Sequence, residues 1–255
     1  MIAKRIEEIE ILREGGRRLA RHVRILSEMI KPGISVHALE TRANEMVLSD
    51  DDALAFYDYP AGKKGELFPS GLIVSMNDVI VHAPAIGDGV IEDGDVVSLD
   101  FGIRHKGLYT DHAVTVIAGT PKSADDERLV RGTQEALAVG IATARMGSTV
   151  GDIGAAIEET AKKYNFGFPR NLSGHGVGKK VHEEPHVPNF GTRGKGELLT
   201  EGLVIAIEPM MALGSGELYI DADGFSYRTR DHSRTAHFEH TIIITRDGPD
   251  ILTKE

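Results

Sequence analysis

Residues 91–102 read IEDGDVVSLDFG, and LTEGLVIAIEPM at 199–210 follows the same pattern, laying Asp100 on Glu208. Working outward from this pair, KPGISVHALETRANE (31–45) falls on RMGSTVGDIGAAIEE (145–159), with Gly33 on Gly147, Val36 on Val150 and Leu39 on Ile153. On the other side DHAVTVIAG (111–119) falls on EHTIIITRD (239–247), which lays Asp111 on Glu239. His82 and His182 also correspond, each followed by a proline within three residues. One match could come from chance similarity of apolar strands. Three in the same order, two of them pairing acid with acid, point to a duplicated half-domain. Halves of about 1–120 and 121–255, related by a pseudo-twofold axis, would bring equivalent residues to the centre of one catalytic domain spanning 1–255.

The stretch DFGIRHKGLYTD, Asp100 to Asp111, reads as two strands around a turn at Arg104–Gly107. A four-residue loop there would pair Ile103 with Leu108 and set Asp100 opposite Asp111, with Cβ atoms about 5 Å apart. Two carboxylates so placed repel unless a proton or a cation lies between them. Alternation puts Val97, Leu99 and Phe101 on the face away from Asp100, and His112, Val114 and Val116 away from Asp111. In the second half Ile205 and Ile207 face away from Glu208, and Ile242 and Ile244 away from Glu239. A single such acid is ordinarily a solvated strand-end residue. Four that the repeat brings together need about two divalent cations to neutralise them, and oxygen ligands with one imidazole suit manganese, iron, cobalt or zinc. Such a pair of ions does hydrolytic work, deprotonating a water and polarising a carbonyl.

The rest of the chain sets limits. It has 255 residues, 41% hydrophobic and 27% charged, enough for a sizeable core. A net charge of −10 offers DNA no basic field. No apolar run approaches a membrane span, and MIAKRIEEIEILREGG reads as a charged helix rather than a signal peptide, so a cytoplasmic protein is expected. There is no cysteine, so a metal must be held by Asp, Glu and His. Apolar spacing predicts helices near 3–30, 36–50, 124–145 and 151–165, and strands near 72–81, 95–101, 108–118, 203–208, 217–220 and 237–245. The loop 61–66 is expected to be the most flexible segment, followed by 191–197.

Within SGHGVGKKVHEEPHV (173–187), HEEPH matches the H-E-x-x-H pattern of helical zinc proteases. That pattern needs a helix to bring both histidines to one ion. Pro185 removes an amide donor and pushes Glu184 out of the helical region, and Gly174, Gly176 and Gly178 precede it. Loop or strand is the expectation. GHGVG is equally no phosphate loop, lacking a following Lys-Ser/Thr and a helix start.

Taken together, SMNDVIVHAP, SLDFG, the Asp100/Asp111 pair, SGHGVGKKVHEEP, AIEP and AHFEHTIIIT resemble the methionine aminopeptidases over essentially the whole chain. The resemblance implies an α+β, pita-bread (creatinase/aminopeptidase) fold, with a central antiparallel sheet covered by helices. It implies removal of the initiator methionine by a monomer acting on the N-termini of peptides and new proteins. Two divalent ions (Co, Mn, Fe or Zn) would be held by Asp100, Asp111, His175, Glu208 and Glu239, with Asp111 and Glu239 shared between them. Glu208 would be the general base, His182 would stabilise the oxyanion, and His82 would contact the substrate backbone. Phe68, Ile73 and Phe225 would form the side-chain pocket. With His175 and Glu208 only 33 positions apart and no cysteine-rich extension, the chain resembles the short bacterial form.

It departs from the family at His82-Ala83-Pro84-Ala85, at the loop 59–70, in its lack of pocket cysteines, and at Phe225, where an indole is frequent. His22, His37, His105, His186, His232 and His237 are expected to be surface or packing residues, while His112 and His240 should face away from the acids. Lys63, Lys64, Lys179 and Lys180 could meet ribosomal RNA, given the expected substrate. Two rival readings remain: an X-Pro dipeptidase or aminopeptidase P, which usually carries an extra N-terminal domain, and a non-catalytic peptide-binding relative, which would lose ligands.

Overall fold

The computed structural model describes every residue except 4 and 62–64. Four helices and fourteen strands make up the described chain. The helices are α1 (Ile6–Met29), α2 (Val36–Ser49), α3 (Ala124–Thr143) and α4 (Val150–Tyr164). The strands of the first half are β1 (Ala53–Leu54), β2 (Leu72–Met76), β3 (Val79–Val81), β4 (Val96–His105) and β5 (Leu108–Ile117). The second half supplies β6 (Ser173–Gly176), β7 (Glu183–Pro188), β8 (Val204–Ile207), β9 (Met210–Ala212) and β10 (Leu218–Ile220). It ends with β11 (Tyr227–Thr229), β12 (Thr235–His237), β13 (Glu239–Thr245) and β14 (Gly248–Ile251). All four helices agree with the spacing of apolar residues. The short strands β1, β9, β11 and β14 were not expected, because two to four residues are too few to show an alternation. The segment 173–187 is extended, as its glycines and Pro185 require, in β6 and β7.

Nine strands form one antiparallel sheet in the order β1-β4-β5-β13-β8-β6-β7, with β2 on β4 and β14 on β13. α1 and α2 cover one flank of a single face, burying Leu19, Val23, Leu26 and Leu39 against Leu99 and Phe101. α3 and α4 cover the other flank, burying Leu137, Ile153 and Ile157 against Ile205, Ile207, Ile242 and Ile244. Each such side chain contributes about 1.5–3 kcal/mol on leaving water. The alternation of strand side chains then turns Asp100, Asp111, Glu208 and Glu239 to the face without helices.

The two helix pairs enter the fold through matching contacts. Gly33 N donates to Ile91 O (2.8 Å) and Gly147 N to Leu199 O (3.0 Å). Val36 N donates to Gly89 O and Val150 N to Glu197 O. Gly33 and Gly147 both have positive φ, +95° and +89°, the conformation a glycine adopts without strain. α2 and α4 then start at capping residues, Ser35 accepting from Ala38 N, and Thr149 with Asp152 as a capping box.

The β4–β5 hairpin corrects one expectation. The turn is two residues, Lys106 and Gly107, with φ of +45° and +88°, the two-residue type favoured where strands twist. Ile103 therefore pairs with Thr110, not Leu108, and Asp100 pairs with Ala113 while Asp111 pairs with Gly102. The register has slipped by two residues relative to a four-residue loop. An even slip leaves every side chain on its expected face. Asp100 and Asp111 are thus diagonal neighbours on one face rather than direct partners.

Candidate metal centre

The site is assembled from consecutive strands of the sheet. Asp100 stands on β4, Asp111 on β5 and Glu239 at the start of β13. Glu208 directly follows β8, and His175 lies in β6. Since these strands neighbour one another in that order, five residues from distant parts of the sequence meet on one face. Ligand atoms of Asp111, His175 and Glu239 lie within 4.8 Å of one another. His175 Nε2 is 3.4 Å from Glu208 Oε1.

Backbone contacts fix these positions. Thr241 Oγ1 accepts from Asp111 N (2.9 Å) and donates to Asp111 O (2.8 Å), joining β5 to β13 beside the acids. Asn189 Nδ2 donates to Glu208 O (3.0 Å). Glycines flank His175 because the strand is squeezed between its neighbours. A Cβ at Gly174 would lie 2.4 Å from Ala206 O, and one at Gly176 2.2 Å from Glu184 O. His175 Nδ1 donates to Gly176 O (2.9 Å), which leaves Nε2 directed at the acids.

The electrostatics show what the site can hold. All five side chains are buried. Burial, with the neighbouring carboxylates adding to it, raises Asp100, Glu208 and Glu239 well above the ordinary carboxylate range. Burial also raises Asp111 to about 7, with hydrogen bonds from His112 N and from Asp100 opposing it. Burial lowers His175 to about 3, so its imidazole is neutral and able to ligate. Asp100 Oδ1 and Glu239 Oε1 are buried without a hydrogen-bond partner. Unpartnered buried carboxylate oxygens are costly, and divalent cations are the partners that an oxygen-rich set with one imidazole accepts. The residues present fit such ions.

A cavity of about 250 Å³ opens onto the acids. Phe56, Tyr59, Phe68, Ile73, Leu172 and Met210 are among its lining. His82 and His182 also line it, as their pairing in the repeat suggested. Half-buried His82 has a φ of +63° and meets Tyr227 edge-on at 5.4 Å. His182 meets His175 edge-on at 4.4 Å, and its Nδ1 is 2.7 Å from Tyr59 Oη. Burial lowers both His82 and His182 to about 4. The loop bearing His182 is anchored by Glu183, whose carboxylate pairs with the Met1 amine at 3.0 Å.

Two expectations need correction. Phe225 is not among the cavity's lining residues; it stands behind Phe68, with ring centroids 5.5 Å apart. His237 is no ordinary packing residue. It is buried, with Nε2 3.4 Å from Glu208 Oε2. Its place two residues before Glu239 on an extended chain was the signal that both face the same way. His186 is exposed, as expected, and stands at the rim of the cavity. Tyr59 was missed altogether, since a loop residue carries no periodicity. The other histidines behave as expected: His22 pairs with Asp50, His105 with Asp52 and His232 with Asp78. Lys179 and Lys180 are exposed, whereas Lys63 and Lys64 lie outside the described residues.

Residues 10–246 match metallopeptidase family M24. A methionine aminopeptidase of Aquifex aeolicus is 43% identical over 251 residues, covering 97% of this chain and 96% of its own length. The crystal structure of a methionine aminopeptidase from Thermotoga maritima superposes with a TM-score of 0.94 at 38% identity, each chain covered completely. A prolidase from Pyrococcus furiosus superposes at 0.77 and 24% identity over 66% of its length, which is a likeness of fold.

Proposed function

This chain belongs to metallopeptidase family M24 and, within it, to the methionine aminopeptidases, and from that premise we propose how its residues divide the removal of an N-terminal methionine. A divalent metal serves the reaction. We assign two ions: Asp111 and Glu239 would serve both, Asp100 would complete one set, and His175 with Glu208 the other. When bound, the ions supply a water acidic enough to ionise near neutral pH and polarise the scissile carbonyl. The observation that carries the assignment is the convergence of four buried carboxylates with oxygens of Asp100 and Glu239 left unpartnered.

Glu208 takes the proton of the attacking water and passes it to the leaving amine. His182, at the cavity edge next to His175, donates to the oxyanion as the carbonyl becomes tetrahedral. His82, on its constrained turn, contacts the substrate backbone and the leaving nitrogen. The free α-amine of the substrate sits toward Asp100, which restricts cleavage to the first residue. The apolar walls at Phe56, Phe68 and Ile73 suit an unbranched thioether, which adapts its three rotatable bonds to the space. Phe225 supports this wall through Phe68.

The two halves act as one catalytic domain, about 1–120 and 121–255, and the matching entries of α2 and α4 support that reading. The protein works as a cytoplasmic monomer on nascent N-termini, and Lys179 and Lys180 are the described candidates for contact with the ribosome. Among the described residues no helix is long and apolar enough to cross a membrane.

Metal-reconstituted hydrolysis of Met-Ala-Ser and Ala-Pro-Ala, with Glu208→Ala as control, tests the assignment. Methionine released from the first peptide alone, and lost in the variant, is expected. Cleavage of the proline peptide alone would move the chain to the X-Pro enzymes. Metal binding with neither peptide cut would favour a peptide-binding relative.

A further inference from the structure

Tyr59 lies between β1 and β2, and its backbone is held on both sides. Its N donates to Phe56 O (2.9 Å), and its O accepts from Phe68 N (2.8 Å). Phe56 and Phe68 are themselves cavity walls, so the phenol ring belongs to the same piece of structure that receives the substrate side chain. From there the hydroxyl reaches across to the second half of the chain, 2.7 Å from His182 Nδ1, with the two rings edge-on at 5.1 Å.

We propose that Tyr59 is a positioning residue for His182, its hydroxyl donating to Nδ1 and so holding the imidazole with Nε2–H toward the substrate carbonyl. The inference deepens the proposed function and rests on the role given there to His182. A neutral imidazole carries one N–H, and the partner of one nitrogen decides which nitrogen has it. If the phenol accepted from Nδ1–H instead, Nε2 would be a bare acceptor facing a developing negative charge. With the phenol donating, Nε2 keeps its proton for the oxyanion. His175 closes the other side of the ring at 4.4 Å, so rotation is limited as well as tautomer. Tyr59 touches no reacting atom. It couples the wall of the side-chain cavity to the group that stabilises the transition state.

Tyr59→Phe preserves the ring and removes the donor. Wild type, Tyr59→Phe, His182→Ala and the double variant are compared on Met-Ala-Ser, and the imidazole tautomer is read by 15N NMR on the zinc-loaded, diamagnetic protein. The expected result for Tyr59→Phe is a kcat lower by about tenfold or more with KM within about threefold of wild type. The double variant should be no slower than His182→Ala. Wild-type His182 should show Nε2–H alone, and Tyr59→Phe a mixture of tautomers. An unchanged tautomer in Tyr59→Phe overturns the proposal whether or not kcat falls, because the loss would then come from the cavity wall. Losses that multiply in the double variant also overturn it. Wild type that releases no methionine would overturn the function, while the NMR result would still judge the Tyr59–His182 bond.

Discussion

His112 and His240 stack face to face, their ring centroids 4.6 Å apart and 8° from parallel, as directly opposed residues of β5 and β13. They are also equivalent in the internal repeat, so the seam between the halves runs through this pair. Each follows an acid of the candidate centre, Asp111 and Glu239. His112 Nδ1 donates to the Glu239 carbonyl, which ties the stack to the backbone of an acid on the opposite face.

His112→Phe should therefore keep the stack but release Glu239. Support of this kind behind a ligand is worth about 10–100-fold in metal affinity. Titration calorimetry with Mn is expected to show weaker binding with little change in thermal midpoint. Unaltered affinity would show that the carbonyl contact does not position the acid.

Metal stoichiometry separates the assigned roles. Wild type is expected to bind two Mn ions per chain. Asp111→Asn, at a shared position, should lose both and lower hydrolysis by more than the ~100-fold typical of supporting residues. His175→Ala should retain one ion. A variant of His175 that still holds two would remove it from the ligand set.

The stability of the metal-free protein should peak near neutral pH. Four histidines hold folded pKa values below their unfolded value: His175 and His237 at about 3, His82 and His112 at about 4. The unfolded chain binds more protons than the folded one from there up to about 6.5, so stability rises with pH over that span. The centre's acids act in the opposite sense. With Asp111 raised to about 7 and the other three raised well above the ordinary carboxylate range, the folded state holds protons the unfolded chain has released, and stability falls as pH rises from about 4 through 7. Above about 6.5 only the acids contribute among these groups. Denaturant midpoints should thus decline on the alkaline side without metal and level off with Mn. A metal-free protein whose midpoint keeps rising past pH 8 would contradict the buried, unneutralised acids.

Gly16 in α1 sits against the end of the chain, and a Cβ there would lie 2.3 Å from Leu252 O. Helix propensity alone would favour Gly16→Ala by about 0.8–1 kcal/mol. The contact is with backbone, which cannot rotate away, and overpacking of that sort costs about 1–3 kcal/mol. The variant should melt lower than wild type. A higher midpoint would mean that α1 can move off Leu252 freely.

Much of this protein could be read before its structure was known, because the decisive information is periodic. Alternation along VVSLD, DHAVTV, VIAIE and EHTIIIT put four acids on one face, and the repeat brought those faces together. Even the wrong hairpin turn left this intact, since an error of two residues is a whole period of the strand. The same reasoning stopped where no period exists. Lys106 and Gly107 chose the register through positive φ values that a longer loop would not need. Tyr59 meets His182 across 123 residues of sequence, and Phe225 lies behind Phe68 instead of facing the cavity. His237 approaches Glu208 because β9 and β12 pair beside the centre. The sequence by itself determined which side chains share a face, a property of local backbone geometry. Only the tertiary structure decided which loop side chains touch them, because those distances depend on how separate segments pack.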